Sequence, residues 1–297
     1  MEPSPILRGS SDSTRRGRSI RDLTTADGCR LAVDDPGGTG RPLILLHAWG
    51  LHSGMWQPLI PRLTQAGFRP ITIDRRGHGA SDRPHSGYDL DTLVGDVTDL
   101  IDQLGLDDIS LLGHSFGALE AAALTARDPE GRVSCLVLSA TTTPCLQASE
   151  TNPTGIPPEF LEAARGQISH DVGQWIVDNT AGYWGGGEMG RPVEHVWTQQ
   201  ALFDTPVRVL LALHETMSGA DVRADLASIR VPTLVIHGSD DRSSPLDFTG
   251  RPTAELLPNG RLEVIDGAGH GLYASYHELY LQAIIEHLAA QSVEPAR

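Results

Sequence analysis

From residue 42 onward, short apolar runs alternate with stretches patterned for helices. The runs are PLILLHAW (42–49), RPITID (69–74), DISLLGHS (108–115), SCLVLSA (134–140), PTLVIHG (232–238) and RLEVID (261–266). Each is almost continuously apolar, the pattern of strands covered on both faces in a parallel sheet rather than of half-solvated antiparallel ones. Upstream, RDLTTADGCRLAVDD (21–35) reads as a hairpin closing near Asp27 and Gly28.

Between the runs, DLDTLVGDVTDLIDQLGLDD (89–108) places Leu93, Val94, Val97, Leu100, Ile101 and Leu104 at helical spacing. Asp96, Asp99 and Asp102 take the opposite face, which is expected to be solvated, and Gly105 stands where a helix would stop. Alternation of strand and helix with right-handed crossovers gives an α/β fold with a doubly wound, mostly parallel sheet. Residues 144–213 break the alternation. They hold Pro/Gly-rich turns (NPTGIPPEF, YWGGGEMG) and helical pieces carrying Phe160, Trp175, Tyr183, Trp184, Trp197 and Phe203. The expected organisation is a core of residues 21–143 and 214–292, with a helical lid inserted at 144–213.

The first 20 residues are rich in Ser and Arg. Arg15 and Arg16 stand together as in a twin-arginine signal, but no apolar run follows, so the segment reads as a disordered tail. Composition adds exclusions. A net charge of −15 argues against binding nucleic acid or an anionic membrane surface. No apolar run reaches the roughly 18 residues of a membrane span. The three cysteines, Cys29, Cys135 and Cys145, form no C-x-x-C pair, so neither a disulfide framework nor a zinc ribbon is expected, and a cytoplasmic location fits. No H-E-x-x-H or ligand cluster suggests a metal, and no G-x-G-x-x-G suggests a dinucleotide. No cofactor is expected, and the oligomeric state is open.

The chemistry concentrates at GHSFG (113–117), between an apolar run and an alanine-rich helix. A serine on a very tight strand-to-helix turn needs a strained backbone and clear space two residues to either side, which Gly113 and Gly117 supply. Ser115 is therefore the candidate nucleophile, and the Phe116 N–H at the helix start is a candidate oxyanion donor. A serine hydroxyl needs a base oriented by a carboxylate. The ends of two later strands offer Asp240 or Asp241, and His270. Among other histidines, His47 and His114 adjoin strand ends as structural or pocket residues, His78 sits in a glycine turn, and His237 is placed to brace the acid loop. Cys135 reads as simply buried.

HAWGLHSGMWQPLIPRL, DRRGHGASDRP, GHSFGALEAA, HGSDDRSSP and GAGHG follow one another over residues 28–288 in an order that resembles the α/β-hydrolase superfamily, and most closely its cofactor-free haloperoxidase and esterase-like branch. The resemblance implies that Asp241, four residues before Pro245, is the acid, and that Trp49 N–H is the second oxyanion donor. The chain departs from the branch at Ala48 and Gly50, where glycine and proline are usual, and at Ser239, which replaces an aspartate. The implied activity is a serine hydrolase cleaving an ester, lactone or thioester of an apolar small-to-medium organic molecule. The pocket is expected to draw on His47, His114, Trp175, Tyr183, Trp184 and Trp197. Haloperoxidase/perhydrolase, carbon–carbon hydrolase and lyase chemistry would use the same three residues, and a ligand-binding receptor on this scaffold is the alternative from outside enzymology.

Overall fold

In a computed structural model, residues 20–185 and 192–291 are described. The expected tail at 1–20 lies, apart from its last residue, outside them. Eight strands form one sheet: β1 (Ile20–Thr24), β2 (Arg30–Asp34), β3 (Arg41–Leu46), β4 (Phe68–Ile73), β5 (Ile109–His114), β6 (Val133–Ser139), β7 (Thr233–Gly238) and β8 (Gly260–Ile265). Their spatial order is β1-β2-β4-β3-β5-β6-β7-β8. The β1–β2 hairpin and the β2–β4 pair are antiparallel, and every other neighbour is parallel. All six apolar runs thus appear as strands of the parallel part. β8 differs in that it forms the sheet edge, so Arg261 and Val264 are exposed there.

The helices are α1 (Ile60–Gln65), α2 (Leu90–Leu104), α3 (Phe116–Arg127), α4 (Pro158–His170), α5 (Val172–Trp184), α6 (Pro192–Asp204), α7 (Val207–Gly219), α8 (Arg223–Ser228), α9 (Gly250–Leu256), α10 (Leu272–Ser275) and α11 (His277–Ala290). α2, α3 and α8 bury one sheet face through Val97, Ala121, Leu226 and their neighbours. α1 and α11 cover the other through Leu63, Tyr280 and Ile284. Two covered faces explain why the central strands carry no polar alternation.

α2 starts on Asp89, whose side chain accepts from Thr92 N at 2.9 Å, and stops at left-handed Gly105 (φ 57°). Its aspartates are not one solvated face. Asp102 is exposed, but Asp96 is buried, receiving Arg76 Nε at 2.7 Å and Nη2 at 2.6 Å. Arg76 comes from the loop after β4 and also reaches Asp27 in the hairpin turn at 2.9 Å. A buried guanidinium needs carboxylates around it, and the sheet brings these together from three separate segments.

Helices α4 to α7 lie between β6 and β7 in the chain, where the lid was expected. The break expected near residue 213 falls inside α7, which continues to Gly219. α7 packs Val209 and Leu213 against Tyr88, Leu93 and Phe116 of the core. Phe160 and Phe203, expected among the insertion's aromatics, are exposed. Among the described residues, no helix is long and apolar enough to cross a membrane.

Candidate active site

Ser115 sits between β5 and α3 with φ 56° and ψ −115°, a conformation that L-residues avoid unless the surroundings impose it. The flanking glycines have separate reasons. A Cβ on Gly113 would lie 2.1 Å from the Gly117 carbonyl oxygen, so this glycine permits the turn itself. A Cβ on Gly117 would lie 2.1 Å from the Leu46 carbonyl oxygen, so that glycine lets α3 start against the end of β3. Phe116, the first residue of α3, is fully buried, and its N–H is one of the helix-start donors without an intrahelical acceptor.

Asp241 and His270 leave the ends of β7 and β8. His270 Nδ1 lies 2.8 Å from Asp241 Oδ2, which fixes the ring proton on Nδ1 and leaves the Nε2 lone pair free to act as a base. Asp241 Oδ1 accepts the backbone N–H groups of Ser243 and Ser244 at 2.9 and 2.8 Å. His237 Nε2 stands 3.2 Å from Oδ2 and 2.8 Å from the Ser244 carbonyl oxygen. Both of those neighbours are acceptors, so the His237 proton is on Nε2. Burial alone would raise the Asp241 pKa; these partners, His270 first, outweigh it and hold the carboxyl far below the usual carboxylate range. Asp240 lies outside this set, 3.3 Å from Arg242 Nε.

Glycines also seat His270. A Cβ on Gly269 would meet the Trp184 backbone at 2.3 Å, and one on Gly271 would meet the Trp184 ring at 2.4 Å. The end of α5 therefore lies directly over the histidine, and Tyr183 O accepts from Gly271 N at 3.0 Å. The Tyr183 ring stands edge-on to the imidazole with centroids 5.2 Å apart.

Ser115 and His270 open on one cavity of about 250 Å³, roofed by α5, α6 and α7. Of the residues expected to form the pocket, Trp175, Tyr183 and Trp184 line it, and so does Trp49, expected as an oxyanion donor. Trp49 is fixed by its indole N–H to Leu210 O at 2.9 Å and stands edge-on to Trp175. His47, His114 and Trp197 are not among its lining residues. His47 turns under the loop, accepting from Arg75 N at 2.9 Å through Nε2. His114 lies behind the elbow, its Nδ1 2.9 Å from Ser139 Oγ and its ring 5.1 Å from that of His270. Burial pushes the pKa of both well down, so both are neutral. Trp197 points from α6 toward His52, whereas the next two residues, Thr198 and Gln199, face the cavity.

The expectation of an apolar pocket holds only for part of the wall. Asn179, Gln199, His195, His214 and Arg242 also line it, none of them singled out from sequence. Asn179 was within reach: with Trp175 and Tyr183 taken as inward, helical spacing turns position 179 the same way. Cys135 is buried, its thiol pushed up to about 12 by desolvation, and so is no nucleophile. Among the described residues, no group of three or more His, Cys, Asp or Glu side chains is placed to hold a metal ion.

A parallel sheet wound on both faces, with a strained serine after the fifth strand and an acid–histidine pair after the last two, defines the hydrolase class of α/β enzymes. The chain belongs to the α/β-hydrolase fold family, whose model matches residues 41–275. It is 34% identical over 259 residues to non-heme chloroperoxidase CPO-A1 of Kitasatospora aureofaciens, covering 84% of this chain and 91% of that one. It is 32% identical over 259 residues to the bifunctional esterase/perhydrolase DCH of Acinetobacter calcoaceticus, covering 84% and 92%. Among solved structures, the esterase EaEST from Exiguobacterium antarcticum superposes with a TM-score of 0.85 at 26% identity, covering 90% of this chain and 98% of that one. The protein is thus an enzyme of the hydrolase fold in the haloperoxidase and esterase branch.

Proposed function

We propose that the protein is a serine hydrolase acting through Ser115, His270 and Asp241 on an ester, lactone or thioester of a small-to-medium organic acid. The observation that carries this reading is that the strained serine and the aspartate-bound imidazole open on the same aromatic-walled cavity. Ser115 Oγ attacks the carbonyl carbon while His270 Nε2 takes its proton. Asp241 holds the imidazole and stabilises its charged form. The N–H groups of Trp49 and Phe116 receive the oxyanion. His270 then hands the proton to the departing alkoxide or thiolate, leaving an acyl-enzyme. Water, deprotonated by the same imidazole, releases the acid and restores the serine. The steps draw on no cofactor.

A second reading is favoured by the relatives named chloroperoxidase and esterase/perhydrolase. In it, a carboxylic acid acylates Ser115 with loss of water, and hydrogen peroxide resolves the acyl-enzyme to a peracid, which can oxidise halide. Both readings share the acyl-enzyme and differ in the acyl donor that forms it and in the nucleophile that resolves it.

The test is a fluorophosphonate label followed by intact mass and peptide mapping, with a panel of p-nitrophenyl esters of graded acyl length. One adduct on Ser115 together with turnover supports the hydrolase. Labelling without turnover on this panel, or on lactones and thioesters added to it, moves the assignment to carbon–carbon cleavage, lyase chemistry or a ligand-binding receptor on this scaffold. Peracid formed from acetate and peroxide supports the second reading.

A further inference from the structure

Arg75, in the loop after β4, is buried and touches both segments that would form the oxyanion hole. On one side its Nη2 donates to the His47 carbonyl oxygen at 2.7 Å and its Nη1 approaches the Ala48 carbonyl oxygen at 3.5 Å. Its own backbone N–H donates to His47 Nε2 at 2.9 Å. These two carbonyls immediately precede Trp49. On the other side, its guanidinium carbon stands 4.7 Å from the centre of the Phe116 ring. Glu120, one turn further along α3, receives Arg75 Nε at 2.6 Å and also pairs with Nη2. Arginine and glutamate side chains are only 5% and 3% exposed.

A buried ion pair returns little net stability, because desolvating two charges offsets their attraction, and well-packed apolar residues often do as well. What a guanidinium supplies that an apolar side chain cannot is a rigid planar fork reaching several acceptors at fixed spacing. Here that fork joins the loop after β3 to the first two turns of α3, through Phe116 and Glu120. The loop is also where this chain carries Ala48.

We propose that Arg75, fixed by Glu120, is a positioning residue that sets the relative aim of the Trp49 and Phe116 N–H groups. The proposal rests on the serine-hydrolase reading above. Oxyanion donors act on the tetrahedral state far more than on bound ester, so losing their alignment lowers kcat and leaves KM in place.

Removing either charge alone strands the other in the core and can prevent folding. The decisive variant is therefore the double substitution R75M/E120L, with R75K beside it, which keeps a charge next to Glu120 but cannot span both segments. Both are assayed on p-nitrophenyl butyrate, with phenylboronic acid as a tetrahedral mimic and circular dichroism as the check on folding. The double variant is expected to fold, with KM within threefold of wild type, kcat lower by about 10- to 100-fold, and boronate affinity reduced by a similar factor. R75K is expected to shift kcat and boronate affinity in the same direction by less. A folded double variant with kcat and boronate affinity within twofold of wild type overturns the proposal, as does a lowered kcat with unchanged boronate affinity. Failure of the hydrolase reading is separable, since it would show in the unmutated protein as neither turnover nor boronate inhibition.

Discussion

His270 and His237 converge on a single oxygen of Asp241: His270 Nδ1 lies 2.8 Å and His237 Nε2 3.2 Å from Oδ2. The carboxylate that orients the base is thus shared with a second, fully buried histidine. His237 also ties that carboxylate to its own loop, its Nε2 lying 2.8 Å from the Ser244 carbonyl oxygen. In His237→Leu this tie is lost and Asp241 keeps only His270 and the Ser243 and Ser244 N–H groups, so the acid is held less firmly against the imidazole. kcat/KM is expected to fall, and His237→Gln, with an amide N–H near the place of Nε2, should restore part of it. Equal kcat/KM for wild type and a folded His237→Leu would show that His237 acts only as packing.

The elbow glycines are expected to tolerate no side chain. In Gly113→Ala the new methyl meets backbone rather than a movable side chain, so the turn must open. Overpacking of this kind costs about 1–3 kcal/mol or more. A urea titration read by fluorescence should show a lower midpoint for the variant. An unchanged midpoint would contradict the tight turn.

Along α2, Asp96 and Asp102 look alike in sequence but sit in opposite surroundings. Asp96→Ala leaves Arg76 buried with only Asp27, half-exposed, as counter-charge, and is expected to cost about 3–5 kcal/mol. Asp102→Ala removes an exposed partner of Arg132 and is expected to cost at most about 1 kcal/mol. Equal losses in chemical denaturation would refute the difference.

Stability should fall on mild acidification because histidines are buried neutral. Burial lowers His78 to about 3 and His214 to about 4. Unfolded histidine titrates near about 6.5, so between these values and 6.5 the unfolded chain binds more protons. The stabilisation is therefore complete above about pH 6.5 and is lost as the pH drops toward the folded values, by up to about 1.4 kcal/mol per pH unit for each histidine. The urea midpoint should be lower at pH 4.5 than at pH 7.5, with a shallower dependence in His214→Gln. A flat wild-type profile would contradict buried neutral histidines.

Much of this fold is legible in the sequence because strands covered on both faces must be apolar along their whole length. The elbow is legible because its glycines answer a local steric demand. Asp96 was not: a helical pattern assigns aspartate to water, and its partner Arg76 lies 20 positions upstream, brought beside it only by the folded sheet. The cavity wall is only partly legible, for a rotational reason. His47, His114 and Trp197 are one or two residues from groups that line the cavity, but their side chains turn the other way. Arg75 and Glu120 gave no signal, since a motif match shows neither which side chain bends under a loop nor which helix residue meets it.

The central claim is that Ser115 is the nucleophile, and Ser115→Ala tests it most directly. On the p-nitrophenyl ester that wild type turns over fastest, kcat is expected to fall by up to about 10⁶-fold in a variant that keeps its folded circular dichroism spectrum. A folded Ser115→Ala protein retaining kcat within tenfold of wild type would contradict the account.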